Sequence, residues 1–454
     1  MKLISGLAPL LVLTTLFPFP AVAGSDPVEK EIAAIVDRIS LPEIPDRTYD
    51  ITRFGAVGDG REDARPAIMA AIGEAAADGG GRVVLPRGTW LSEGPVHLRS
   101  KIELHLAEGA VLLFGPDPAD YLPVVLTRWE GTEVMTYSPL IYARDVEDVA
   151  ITGPGKIDGN AESAFHGWWE FQEDDMQALR TMGVDGTPRE KRIFGEGTHL
   201  RPPALQVFGG RRILLEGYTI ENSPFWVNHL VYCDEVTVRR LQVDSHRFNN
   251  DGVDLDSCRY ALVEHNHFRT GDDSVVVKSG RDRDGREVGR PSEYIVVRHN
   301  DMGGEDGIAL GSEMSGDIRH VYFTDNVLRK GISAIRFKAN LDRGGVVEHI
   351  LVRNMKVESF EKHLIWFQLN YPGLLGGGHP STYRDLVFEN ITAEKAGTFF
   401  EAHAPDGAPL LDVTLRNISI EEVDQPLVLE HVEGLRFENV RIGQQVINAE
   451  LDWN

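Results

Sequence analysis

The sequence has 454 residues, 70 acidic against 46 basic side chains, a formal net charge of −24 and two cysteines. That acidic balance argues against nucleic acid as a partner, and an anionic substrate would need a local basic pocket. Two cysteines cannot staple the fold as a disulfide framework, and Cys233 and Cys258 are expected to be buried thiols on neighbouring structural repeats.

In chain order, Lys2, an apolar run from Leu3 to Pro20 and Ala21-Val22-Ala23 match a secretory signal spanning residues 1–23. The run is at the short end for a membrane span and no positively charged stop follows it, so the expectation is a secreted or periplasmic protein with no membrane partner. Residues 24–454 then form one domain, with 24–100 as an N-terminal cap region. Within that region Ile68, Ala71, Ile72 and Ala75 keep helical spacing and a glycine cluster follows. A solenoid must cover its open hydrophobic end, and this helix is the candidate cap. Residues 165–200 are an excursion, in which Trp168 and Trp169 either face a sugar or pack in a core.

From Leu205 onward one phrase recurs: apolar, any, apolar, any, Asn or a substitute, apolar. It reads ILVRNMKV at 350–357, LVFENITA at 386–393, VTLRNISI at 413–420 and LRFENVRI at 435–442. The alternation is that of half-buried strands, and the copies recur at solenoid-like intervals. The phrases are too short and too rich in Val, Ile and Phe for helical repeats, and a leucine scaffold is missing. The fold class is therefore all-β, a single-stranded right-handed parallel β-helix whose variable turns absorb the uneven spacing. Asn354, Asn390, Asn417 and Asn439 hold equivalent places and are expected to stack as an internal ladder.

Two stretches carry the chemistry, FNNDGVDLDS at 248–257 and GDDSVVVKSG at 271–280. With a coil of about 22 residues, Asp251 stacks on Asp272 and Asp273. Carboxylates crowded together raise one another's pKa, so a function has to justify them. Asp272 and Asp273 share a cleft only if the backbone bends, and Gly271 is the expected bend. At a later coil ISAIRFK places Arg336 and Lys338 on one side of a strand, suited either to a structural salt bridge or to a substrate carboxylate. GRDRDGRE at 280–287 lacks the order of a calcium loop and reads as a turn bordering the cleft.

These segments, together with RPPALQ, ENSPFWVNHL, LGSEMSG and IRFKANLDRGG, make the chain resemble the family 28 glycoside hydrolases, the polygalacturonases and their relatives, most strongly over 201–345. The resemblance implies a pectin lyase-like β-helix that hydrolyses α-1,4-galacturonosidic bonds of pectin with inversion, its catalytic coils within 201–345. It implies Asp272 as general acid, Asp251 and Asp273 as the groups that orient and deprotonate water, and Arg336 and Lys338 as the grip on the uronate. Crowding agrees with this division, keeping one carboxyl protonated while its neighbours stay ionised. The resemblance calls for no cofactor and no metal, and a monomer is expected.

Tyr371 and His229 fall in regions similar to substrate-contact regions, where aromatic and imidazole groups pack as often as they bind. The chain departs from the family at Gly304-Glu305-Asp306-Gly307, where relatives carry G-H-G-G. Glu305, or Asp306 after a one-residue shift, replaces the usual His, which makes rhamnogalacturonan or another pectic linkage the alternative substrate. Two rivals predict different behaviour: a calcium-dependent polysaccharide lyase, and a non-catalytic carbohydrate-binding β-helix indifferent to Asp272→Asn.

Overall fold

A computed structural model describes residues 26–161 and 165–453; the signal segment 1–23 lies outside them. The strands line up in a 29-stranded sheet, parallel except at its last pairing, that winds into successive coils. Around the site each coil contributes three strands. The first stack contains Asn228–Val231, Val253–Asp256, Val275–Lys278 and Asp306–Leu310. The second contains Asp234–Arg239, Arg259–Glu264, Ser292–Arg298 and Ile318–Thr324, and the third Gln242–Ser245, His267–Thr270 and Asp301–Gly303.

Register makes the core. Val253, Val275, Ile308, Ile335 and Ile365 stack in one internal column, and Leu255, Val277, Leu310, Phe337 and Phe367 in the next, all fully buried. Alternate residues therefore face outward, which puts Asp256, Lys278 and Lys338 on one external line. The helix Arg65–Ala77 buries Ile68, Ala71, Ile72 and Ala75 against the first coil, in the place expected for a cap. At the other end Gln445–Trp453 runs antiparallel to Val432–Ile442.

A second helix, Pro27–Asp37, occupies the acidic N-terminal segment, signalled by the N-cap Asp26, by Pro27 in its first turn and by the helical spacing of Val28, Ile32, Ile35 and Val36. Its Ile32 and Ile35 pack on Leu262, Val296, Tyr322 and Leu351 outside the β-helix, and Asp26 pairs with Arg353 at 2.8 Å.

The asparagine ladder exists, but it is not internal. Asn354, Asn390, Asn417 and Asn439 adopt left-handed φ values of 51–54° at a corner, so their side chains point to solvent. There they link amide to amide at 2.8–3.2 Å. The internal ladder is one residue further along the phrase: Asn266 donates to Asn300 at 2.9 Å and Asn300 to Asn326 at 3.0 Å, all buried. At that position the C-terminal coils carry Met355, Ile391, Ile418 and Val440.

Cys233 and Cys258 are free and buried, their thiols facing main-chain carbonyls, as expected. The excursion 165–200 is a 3-10 turn, a helix Gln172–Val184 and a short strand Ile193–Phe194. Trp168 packs edge-on against Phe165, Tyr137 and His199, whereas Trp169 is exposed and stacks on Phe248. GRDRDGRE is not a turn: Asp282–Val288 is helical, and ion pairs tie it to its surroundings.

Candidate active site

Asp251 and Asp273 stand in register two residues before the strands Val253–Asp256 and Val275–Lys278, and the Gly252 N–H donates to the Asp273 carbonyl at 2.9 Å. Asp272 accepts from the Asp273 N–H at 3.0 Å, in the bend that brings both carboxylates to one cleft. Gly271 serves this bend by close approach rather than by an unusual φ, since a Cβ there would lie 2.3 Å from the Arg247 carbonyl oxygen. An oxygen from each of Asp251, Asp272 and Asp273 lies within 4.8 Å of the other two.

The carboxyls are not equivalent. Burial, then Asp273, pushes Asp272 up to about 7, so near neutrality this half-buried carboxyl at the cleft is half protonated. Burial also raises Asp273, but Lys338 Nζ, donating to both its oxygens at 2.8 and 2.9 Å, pulls it back toward the ionised form. Asp251 is raised well above the usual carboxylate range by burial and by Asp254, a fully buried neighbour raised in the same way. Lys278 Nζ, 3.8 Å from Asp251 and 3.9 Å from Asp254, is their counter-charge.

The pocket over these acids is also lined by Lys338, Tyr371, Trp226, Asn249, Lys278 and Ser312. Its strand-end corner holds a charged chain: Lys278 to Glu313 at 3.2 Å, Glu313 to Arg281 at 3.1 Å, Arg281 to Glu130 at 3.3 Å and Glu130 to Arg180 at 2.7 Å. Burial works to raise Glu313, but Lys278, Arg281 and Arg343 outweigh it and hold the carboxyl well below its ordinary value. Lys278, Arg281 and Glu313 lie in the GDDSVVVKSGRDRDG and LGSEMSG motifs, and strand alternation alone turns Lys278 outward beside Asp256. Glu130 and Arg180 lie outside every motif and went unforeseen.

Other expected site residues fall differently. His229 does not line the pocket: it is fully buried beneath Trp226, 2.8 Å from Gln206 and 3.5 Å from Asp256. It is an outward residue of a strand over which Trp226 and the hairpin Val125–Thr136 are laid, so it holds the wall of the site. Arg336 stands just beyond the pocket, stacked 4.2 Å from Trp366 and bonded to Asp306 at 2.7 Å and Gln368 at 2.6 Å. Asp306, fully buried and in register with Asp273, is kept ionised by Lys338 and Arg336 against the effect of burial. Glu305 is half-buried beside it, its N–H donating to the Asp272 carbonyl at 3.1 Å, and its carboxyl is raised by burial and by Asp306 and Asp273.

Three close carboxylates invite a hard cation, which takes six to eight oxygens. Here Lys338 occupies both oxygens of Asp273, and Asp251 and Asp272 are raised toward protonation. The donor set suits proton transfer better than calcium.

An acid raised to about 7 beside a carboxylate gripped through both oxygens by a lysine, in a cleft on a parallel β-helix, defines a glycosidase-type site. The family model described as Glycosyl hydrolases family 28 matches residues 126–434, and a second, Rhamnogalacturonase A/epimerase, pectate lyase-like, matches 49–105. The chain belongs to glycosyl hydrolase family 28 and is a glycoside hydrolase. It is 31% identical over 409 residues to a probable polygalacturonase of Vitis vinifera, covering 84% of this chain and 77% of that one. A hyperthermoactive exopolygalacturonase from Thermotoga maritima superposes with a TM-score of 0.89 at 38% identity, over 94% of this chain and 99% of that one. The polygalacturonase of Erwinia carotovora, at 21% identity and a TM-score of 0.69 over 88% of this chain and 98% of that one, shares the fold.

Proposed function

We propose that the protein hydrolyses α-1,4-galacturonosidic bonds of pectin, with Asp272 protonating the leaving oxygen while Asp273 and Asp251 hold the water. The observation that carries the reading is the contrast between Asp272, raised to about 7, and its neighbour Asp273, gripped through both oxygens by Lys338. Asp273 takes the proton of the water, whose oxygen attacks the anomeric carbon as the glycosidic bond breaks. Asp251 orients that water. The similarity to polygalacturonases supports galacturonate as the sugar.

Inverting enzymes commonly hold acid and base about 6.5–9.5 Å apart to leave room for water. The acids here come closer, with oxygens within 4.8 Å, and the reading places the water beside the pair Asp251 and Asp273 rather than between two facing groups. Proton NMR of the first product decides: the anomer opposite to the substrate supports inversion, and retention makes a carboxylate of this cluster the nucleophile.

Chain-end action is the mode the surroundings favour. The hairpin Val125–Thr136, the helix Gln172–Val184 and the helix Asp282–Val288 are joined into a wall at the strand-end side of the pocket by the Arg180–Glu130 ion pair and by the Glu133 N–H, which donates to Asp284 at 3.1 Å. A wall there shortens the groove. Release of monogalacturonate alone from polygalacturonate fits this mode, and a ladder of oligomers excludes it.

The chemistry is tested by incubating the protein with polygalacturonate plus a chelator while following reducing ends and ultraviolet absorbance. Hydrolysis gives reducing ends without absorbance, and Asp272→Asn lowers the rate about 10²–10⁴-fold. Chelator-sensitive absorbance indicates a lyase. Activity on rhamnogalacturonan fragments alone shifts the substrate and makes the Glu305–Asp306 change the reason.

A further inference from the structure

Lys338, although it lines the pocket, is already held by both oxygens of Asp273, and Arg336 beside it is held by Asp306 and Gln368. Two other cations have donors to spare. Arg180 spends Nη2 on Glu130, and Arg281 spends Nη1 on Glu130 and Glu313; Arg180 Nη1 and Arg281 Nη2 have no hydrogen-bond partner among the described residues. Both side chains line the same pocket as Asp272.

The two free nitrogens converge. A Cβ added at Gly373 would lie 3.6 Å from Arg180 Nη1 and 4.0 Å from Arg281 Nη2, so both face one small space that the missing side chain leaves open. Gly373 follows Tyr371, which lines the pocket, and its φ of 88° reserves the position for glycine. Lys278 also faces Asp251 and Asp254, and Arg281 Nε lies 3.6 Å from Asp282, so the corner is a network of shared carboxylates rather than a set of closed pairs. Burial and the neighbouring Arg343 and Arg180 lower Arg281 to about 10.

We propose that Arg180 and Arg281 form a second carboxylate clamp, which holds the uronate of the terminal sugar and selects free over esterified galacturonate. The clamp rests on the polygalacturonase reading and adds the residues that select the sugar at the walled side of the pocket. A guanidinium pair suits this task, because each fork offers planar donors matched to a carboxylate, and a methyl ester removes the negative charge that those donors would meet.

The test is initial-rate kinetics on trigalacturonate and its methyl ester with the wild type, Arg180→Gln and Arg180→Lys. Arg180 projects from the excursion helix outside the β-helix core, so its loss leaves the coils intact, which a thermal melt verifies. The clamp predicts that Arg180→Gln raises KM for trigalacturonate about tenfold, changes kcat less than about threefold, and cuts the preference for free acid about tenfold, with Arg180→Lys in between. Arg180→Met, which keeps the packing of the stem and removes only the guanidinium, raises KM in the same direction and serves if Arg180→Gln melts early. An active wild type whose KM and ester preference survive both substitutions overturns the clamp alone. A wild type inactive on both substrates overturns the polygalacturonase reading beneath it.

Discussion

The coils around the cleft and the coils at the C-terminus are built from one phrase and spend it differently. In the C-terminal coils the corner asparagines face solvent, Met355, Ile391, Ile418 and Val440 fill the interior, and ion pairs such as Arg416–Glu438 are exposed. Around the cleft the interior corner is polar, with Asn266, Asn300 and Asn326, and the outward face buries Asp254, Asp256, Lys278 and Lys338. Burying charge costs several kcal/mol per ion unless partners repay it. The repeat thus carries stability in one region and tolerates its loss in the other, where the cleft buries groups that, on the proposed reading, exchange protons.

That contrast breaks first at Lys338. Lys338→Met strands Asp273 and Asp306 without their shared cation, so stability falls by about 3–5 kcal/mol in a urea titration, and turnover falls with it because Asp273 is no longer held ionised. A smaller loss is expected inside the polar ladder. Asn300→Ala removes hydrogen bonds to Asn266, Asn326 and two main-chain carbonyls, and lowers the unfolding free energy by about 1–3 kcal/mol. Asn417→Gly in the external ladder keeps the left-handed corner and shifts the same measurement by less than about 0.5 kcal/mol. Equal effects at the two ladders would erase the distinction.

The pH profile sharpens it. The proposed roles require Asp272 protonated and Asp273 ionised, so kcat/KM is expected to be bell-shaped, with an alkaline limb near 7 and an acid limb above the ordinary carboxylate value because Asp273 is also raised. The limbs belong to the coupled group of acids. A rate that stays flat to pH 9 removes Asp272 as the donor.

Much of this was legible in the sequence because strand alternation is local. The phrase at 413–420 revealed its strands, and the spacing of Asp251 from Asp272 and Asp273 revealed their convergence. Alternation could not show that the residue at the corner adopts a left-handed φ and turns outward, so the asparagine ladder was read one position away from the interior. His229 shows a related limit: an outward residue is exposed only if nothing is laid over it, and here Trp226 covers it, so of its two expected roles the packing one fits. Arg180 and Glu130 meet across 50 residues of chain between a helix and a hairpin, a contact that no repeat or motif encodes. The helix Pro27–Asp37 is short and acidic, and its register with the outer face of the sheet is a tertiary fact.

The central claim is that Asp272 is kept partly neutral by its crowd in order to donate a proton, at a cost in stability. In the folded protein its pKa of about 7 stands above the unfolded value of about 3.9. Its contribution to stability is therefore full below about pH 4 and is lost as pH rises through about 7, where a buried charge has to form. The direct measurement is the turnover and the thermal midpoint of Asp272→Asn beside the wild type at pH 8 and at pH 4. The account predicts that the variant loses turnover, melts higher than the wild type at pH 8 and matches it at pH 4. A variant that stays active, or that melts lower at pH 8, would contradict it.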